Sequence, residues 1–122
     1  MPRLVLDETR LHPGIRDQVA NLHADIVHNV QSAAQSNAVL VIGMSGNPWV
    51  RRARAALAAA HQPHHYVGFG SYLSQWRRRN ALKMWTGWPT FPMVFVRGVL
   101  VGGYSDLKSL IDSGELQRLL RE

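Results

Sequence analysis

The sequence predicts an α/β sandwich, one four-stranded sheet with helices on both faces, in the chain order α-β-α-β-α-β-β-α. Three observations carry that prediction. Ala38 to Ile42 is apolar at every position and rich in β-branched residues, the pattern of a strand covered on both sides. Segments before and after it repeat their apolar residues every three or four positions, as helices resting on a sheet do. Met93–Val96 and Val99–Val101 flank Arg97-Gly98, a tight connection of the kind an antiparallel hairpin uses.

Taken in order, residues 1–14 mix charge, apolar residues and two prolines without a period and are read as an arm preceding a domain of residues 15–122. Ile15, Val19, Leu22, Ile26, Val30 and Ala33 then describe one apolar stripe on a single helix ending near Ser36-Asn37, with Arg16, Asp17, Asn21, Asp25 and Gln31 on its wet face. After the 38–42 strand, Asn47 is a good N-cap and Pro48 fits the first helical position, where a missing N–H costs nothing. Val50, Ala53, Leu57 and Ala60 form the buried stripe of that helix, and Arg51, Arg52 and Arg54 lie outside it.

Gln62-Pro63 stops the helix, and His64 to Phe69 reads as a short strand. Ser71 is expected to cap a helix running to about Trp85-Thr86, with Gly87 in the left-handed position beyond its last turn. Trp88-Pro89-Thr90-Phe91-Pro92 holds two prolines in four residues and must be a shaped loop. After the hairpin, Gly102-Gly103 ends the sheet and Ser105 is expected to cap a helix from Asp106 to about Asp112, burying Leu107, Leu110 and Ile111. Gly114 breaks it before a final turn or helix, Glu115 to Arg121.

With 122 residues, 46% of them hydrophobic, the chain fits one domain with one core. Its apolar runs, Ala38 to Ile42 and Ala55 to Ala60, are far below the ~20 residues of a membrane span, and Met1-Pro2-Arg3-Leu4 lacks a signal-peptide core, so a cytoplasmic protein without a membrane partner is expected. The cysteine count is zero, which removes disulfides, thiolate metal ligands and every thiol nucleophile. A formal charge of +6 raises the question of a polyanionic partner.

The element order, Asn47-Pro48-Trp49-Val50-Arg51-Arg52-Ala53-Arg54 after the first strand, and Trp88-Pro89-Thr90-Phe91-Pro92 before the hairpin together resemble a glutaredoxin over about residues 15 to 121. The family's Cys-Pro-Tyr-Cys followed by Lys-Arg-Ala-Lys is matched with the proline, an aromatic and the basic tail kept; both cysteine positions are lost, to Asn47 and Val50. The Trp-Pro-Thr-Phe-Pro segment, Leu100-Val101-Gly102-Gly103, Ser113-Gly114-Glu115-Leu116 and the leading helix resemble the monothiol branch most. The resemblance implies a thioredoxin-like fold, a four-stranded mixed sheet sandwiched by helices with an extra N-terminal helix, and a family role in cell redox homeostasis.

By position, the resemblance implies a cis bond before Pro92, leaving the backbone of Phe91 to pair with a cysteinyl ligand. It places Thr90 and Phe91 along that groove, and Arg79 on the glycine carboxylate of glutathione. Ser105 takes the place of an acid that meets the γ-glutamyl end, and Asp106 is the nearest acid. Beside Gly103, the amides of Tyr104 and Ser105 are suited to a carboxylate. The family lysine aligns with Met44 and the glutamine after the cis-proline with Met93, so glutathione is expected to bind weakly or not at all. Iron–sulfur ligation has lost its protein thiolate, and no cofactor is required.

Three functions follow: a redox-inactive module binding a peptide, protein or glutathione-like ligand; an enzyme using the ligand's own thiol with Ser45 or Tyr104 as hydroxyl donor; or an accessory protein acting through its basic face. Without interleaved stacking aromatics a nucleic-acid partner is not expected. His61, His64 and His65 are read as solvated or capping residues, because successive strand side chains point to opposite faces.

Overall fold

The computed structural model describes residues 2–122; Met1, the first residue of the arm, lies outside the described residues. The elements are α1 (Pro13–Asn21), α2 (Ala24–Ser36), β1 (Val39–Gly43), α3 (Pro48–Ala59), β2 (His65–Gly68), α4 (Trp76–Thr86), β3 (Met93–Val96), β4 (Val99–Gly102), α5 (Tyr104–Ser113) and α6 (Glu115–Arg121), with a short 3-10 turn at Glu8–Arg10. The strands are ordered β2-β1-β3-β4. β1 pairs in parallel with β2 and antiparallel with β3, and β3 pairs antiparallel with β4.

Alternation along β1 builds the core on both faces of the sheet. Leu40 and Ile42 pack with Ile26 and Val30 of α2, Leu82 of α4, and Met93 and Phe95 of β3. Val39 and Val41 face the other way, onto Ala53 and Leu57 of α3, Leu107 of α5 and Leu116 of α6. At Gly43 the strand passes so close to α3 that a Cβ there would lie 2.6 Å from a methyl of Val50. Gly43→Ala is therefore expected to cost about 1–3 kcal/mol, read as a lower urea midpoint with unchanged slope.

Three sequence expectations are corrected. The leading helix is two helices, broken at His23, whose backbone is left-handed (φ 45°). Ile26, Val30 and Ala34 of α2 are buried, whereas Ile15, Val19 and Leu22 are each more than 40% exposed. The three-and-four spacing runs straight through the break, and no glycine or proline marks it, so the sequence reads as one stripe.

The helix expected from Ser71 starts at Trp76. Residues 71–75 are coiled into a loop in which Ser71 Oγ accepts from the Leu73 amide. α5 starts two residues earlier than expected too: its N-cap is Gly103, and Ser105 lies inside the first turn.

The strand directions gather the loops. β1, β2 and β4 run the same way and β3 the other, so the ends of β1, β2 and β4 and the start of β3 share one edge of the sheet. Residues 44–47, 69–75, 88–92 and 103 all emerge there.

Candidate functional site

Asn47 is the pivot of that edge. Its side chain is buried, and its Oδ1 accepts from the amides of Trp49 (2.9 Å) and Val50 (3.2 Å), satisfying two of the four unpaired donors at the start of α3. Its Nδ2 donates to the carbonyl of Phe91 at 3.4 Å. One side chain thus joins a helix start to the 88–92 loop, in which the Phe91–Pro92 bond is cis. Val50, at the other lost cysteine position, is buried against Gly43.

Beside this junction lies a groove of about 280 Å³ lined by Trp49 of α3, Trp88 and Thr90 to Pro92, and Gly103 to Asp106 at the start of α5. Trp49 is half-exposed; its ring is 5.8 Å from that of Tyr104, and the Arg52 guanidinium lies 4.5 Å over it. At α5 the Gly103 amide donates to the Asp106 carboxylate at 3.0 Å. The amides of Tyr104 and Ser105 follow at the positive end of a ten-residue helix, beyond the one amide that Asp106 takes.

The structure brings together every residue of the sequence-derived groove except Arg79. That side chain is buried, and its Nη1 lies 2.8, 2.7 and 2.6 Å from the carbonyl oxygens of Phe69, Ser71 and Ser74. Arg79 is a staple for the 69–75 loop and does not line the groove. Ser45 is also spent elsewhere, donating through Oγ to the Gly70 carbonyl at 3.1 Å. Met44 and Met93, where the family has polar side chains, are buried in the core instead.

Trp88 is a groove residue absent from the sequence-derived set. Its Nε1 is buried, has no hydrogen-bond partner, and lies beside Gly103. A buried donor left unpaired costs about 1–3 kcal/mol unless something accepts from it. Its place next to Pro89 was the available signal, but only the fold aims the indole at Gly103. Among the histidines, His64 accepts from Arg54 at 3.5 Å, and His65 is exposed on β2.

These donors do not fit an iron–sulfur cluster. The position that would supply a thiolate holds an amide whose oxygen and nitrogen are both engaged, and no cysteine exists elsewhere. They do suit a carboxylate, which the α5 amides can receive.

A mixed four-stranded sheet, a cis-proline loop and a capped helix start meeting at one edge define a thioredoxin-like domain. Solved structures share it: oxidized glutaredoxin 2 from Chlamydomonas reinhardtii superposes with a TM-score of 0.70 at 27% identity over 81% of this chain and 94% of that one. A buckwheat glutaredoxin–glutathione complex matches in fold with a TM-score of 0.73 at 20% identity over 83% of this chain and 92% of that one. In sequence, the chain is 36% identical over 108 residues to a glutaredoxin-like protein of Dictyostelium discoideum, covering 88% of each. It is 31% identical over 78 residues to monothiol glutaredoxin-4 of Schizosaccharomyces pombe, 64% of this chain and 32% of that protein. No protein-family model matches. The chain belongs to the glutaredoxin family, as a member without cysteine.

Proposed function

We propose that this protein is a binding module that has exchanged the family's thiol for a structural amide and kept the ligand groove. The observation that carries the reading is Asn47. An amide at the cysteine position caps α3 and holds the Phe91 carbonyl, so the loop is braced from inside the protein and no nucleophile remains. The neighbouring groove still offers the Tyr104 and Ser105 amides and the Asp106 carboxylate, with the unpaired Trp88 indole nitrogen buried directly behind it. That donor set suits the end of a peptide or glutathione-like molecule, its carboxylate on the amides and its ammonium toward Asp106. The buckwheat glutaredoxin was solved with glutathione, and its fold overlaps this one.

Ser45 is held by Gly70, so the reading as an enzyme that activates the ligand's thiol rests on Tyr104, which lines the groove.

The test is a titration of labelled protein with reduced glutathione, followed at the amides of Phe91, Tyr104 and Ser105 and the Trp88 indole. Saturable shifts at millimolar or lower concentration are expected. Gly103→Ala is expected to weaken binding about tenfold, because its methyl would stand 3.7 Å from the Trp88 nitrogen on the groove floor, an ordinary contact the fold tolerates. With glutathione present, the protein should reduce a glutathione mixed disulfide no faster than background. A rate above background overturns the inactive reading; the absence of any shift overturns glutathione as the ligand class.

A further inference from the structure

From Ile26 to Ser105, 80 consecutive residues contain no Asp or Glu and eight Lys or Arg, seven of them Arg. All eight acids lie in the first 25 and last 17 residues. The two acids bordering the stretch are occupied: Asp25 pairs with Arg78 at 2.9 Å, and Asp106 accepts from the Gly103 amide. Charge in this chain is therefore segregated, and the folded sheet decides where it collects.

Most of these cations have internal duties. Arg79 is buried on carbonyls, Arg97 reaches the Leu120 carbonyl at the opposite end of the sheet, and Arg54 lies 4.2 Å over Tyr66. Arg51 and Arg52 at the start of α3 and Arg77 at the start of α4 are exposed and make no ion pair among the described residues. They share one end of the molecule. α3 and α4 leave the same ends of two adjacent parallel strands, and the loops before them are laced by the Ser45 amide on the Gly70 carbonyl at 2.7 Å.

The same end exposes three large aromatic side chains: Trp49 (48%), Tyr72 (62%) and Trp76 (52%). Two are already paired with the exposed arginines, Arg52 over Trp49 and Arg77 5.1 Å over Trp76. The sequence, in which these rings are scattered, did not suggest interleaving; the fold brings all three to one end and sets two of them against cations.

We propose that this end binds single-stranded nucleic acid, with Arg51, Arg52 and Arg77 on phosphates and Trp49, Tyr72 and Trp76 as stacking platforms for bases. An acidic peptide would use the charge but leave three large rings in water, whereas a single strand presents phosphates and flat π-faces in alternation. A bilayer surface needs a continuous apolar face; here Tyr72 and Leu73 lie in the 69–75 loop, Trp76 opens α4 and Trp49 stands apart on α3, and each of the two tryptophans is covered by a guanidinium. The surface does not depend on the groove reading, and of its six residues Trp49 alone also lines the groove.

The test is the fluorescence anisotropy of a labelled oligothymidylate of about 12 nucleotides titrated with the full chain, alongside heparin and phosphatidylserine vesicles. Saturable binding is expected, with a log K against log salt slope of about −2 for three neutralised phosphates. The double variant Arg51→Gln/Arg52→Gln should flatten that slope by about 1.4. Trp76→Ala should weaken binding about tenfold while Trp76→Phe restores most of it, the pattern of stacking rather than charge. Unchanged circular dichroism checks that these exposed variants fold. No oligonucleotide binding at low salt overturns the proposal. So does heparin binding as tight as the oligonucleotide's with Trp76→Ala neutral, which would mean a charge-only face, or vesicle binding without oligonucleotide binding, which would mean a membrane surface.

Discussion

Asn47→Ala is expected to lower the unfolding free energy by about 2 kcal/mol and to loosen the cis-proline loop. Losing an N-cap costs about 1 kcal/mol in most helices and up to about 2 where the cap is well buried. Asn47 is buried and caps two amides at once, and its removal also strips the Phe91 carbonyl of its side-chain donor. Asn47→Ser should recover most of the stability, since its hydroxyl can still accept from the helix start, but it is too short to reach Phe91. The loop should therefore stay loosened, visible as faster hydrogen exchange around residues 90–93. Urea unfolding of the three proteins separates the two duties. If Asn47→Ala costs less than about 0.5 kcal/mol, the residue is a passive replacement and the bracing role fails.

Arg79→Met should be still more damaging, about 3 kcal/mol, because three carbonyls converge on one guanidinium nitrogen in a site with almost no solvent. A nitrogen of that kind carries two hydrogens, so the three contacts share them. An ammonium has three, and Arg79→Lys is expected to retain part of the loss if its shorter stem reaches the carbonyls. Hydrogen exchange should localise the damage to residues 69–76. The lysine variant also decides between two roles for this position. If it folds yet loses more than tenfold in glutathione affinity, Arg79 serves the ligand directly, as the family resemblance implied; if affinity is unchanged, the side chain is structural in this chain.

Much of the fold was legible because it rests on short-range signals. The all-apolar strand at 38–42, Asn47-Pro48 as a helix start, Gly87 beyond a helix end and Arg97-Gly98 as a hairpin turn each satisfy a local rule, and each stands where the pattern placed it, to within a residue. The misplacements share a cause. His23 and Gln75 adopt left-handed backbone without being glycine, and such residues announce nothing in the sequence. Ser71 and Ser105 are good caps by type, but the first is drawn into a loop organised by Arg79, and the second is preempted by Asp106 reaching back to Gly103.

For the site, the distinction is sharper. The sequence by itself determined that this glutaredoxin relative carries no thiol, that Asn47 and Val50 stand where the cysteines would be, and that Thr90 to Pro92 and Gly103 to Asp106 are the candidate groove. The first is a count of residues; the other two are what the resemblance to the family implies, carried by short motifs that local sequence holds. Only the tertiary structure decided that Asn47 holds Phe91, 44 residues away, that Arg79 turns inward, and that the Trp88 indole is left without a partner beside Gly103. Which donor meets which acceptor depends on strand directions that bring four distant loops to one edge of the sheet, and no short window of sequence encodes that meeting.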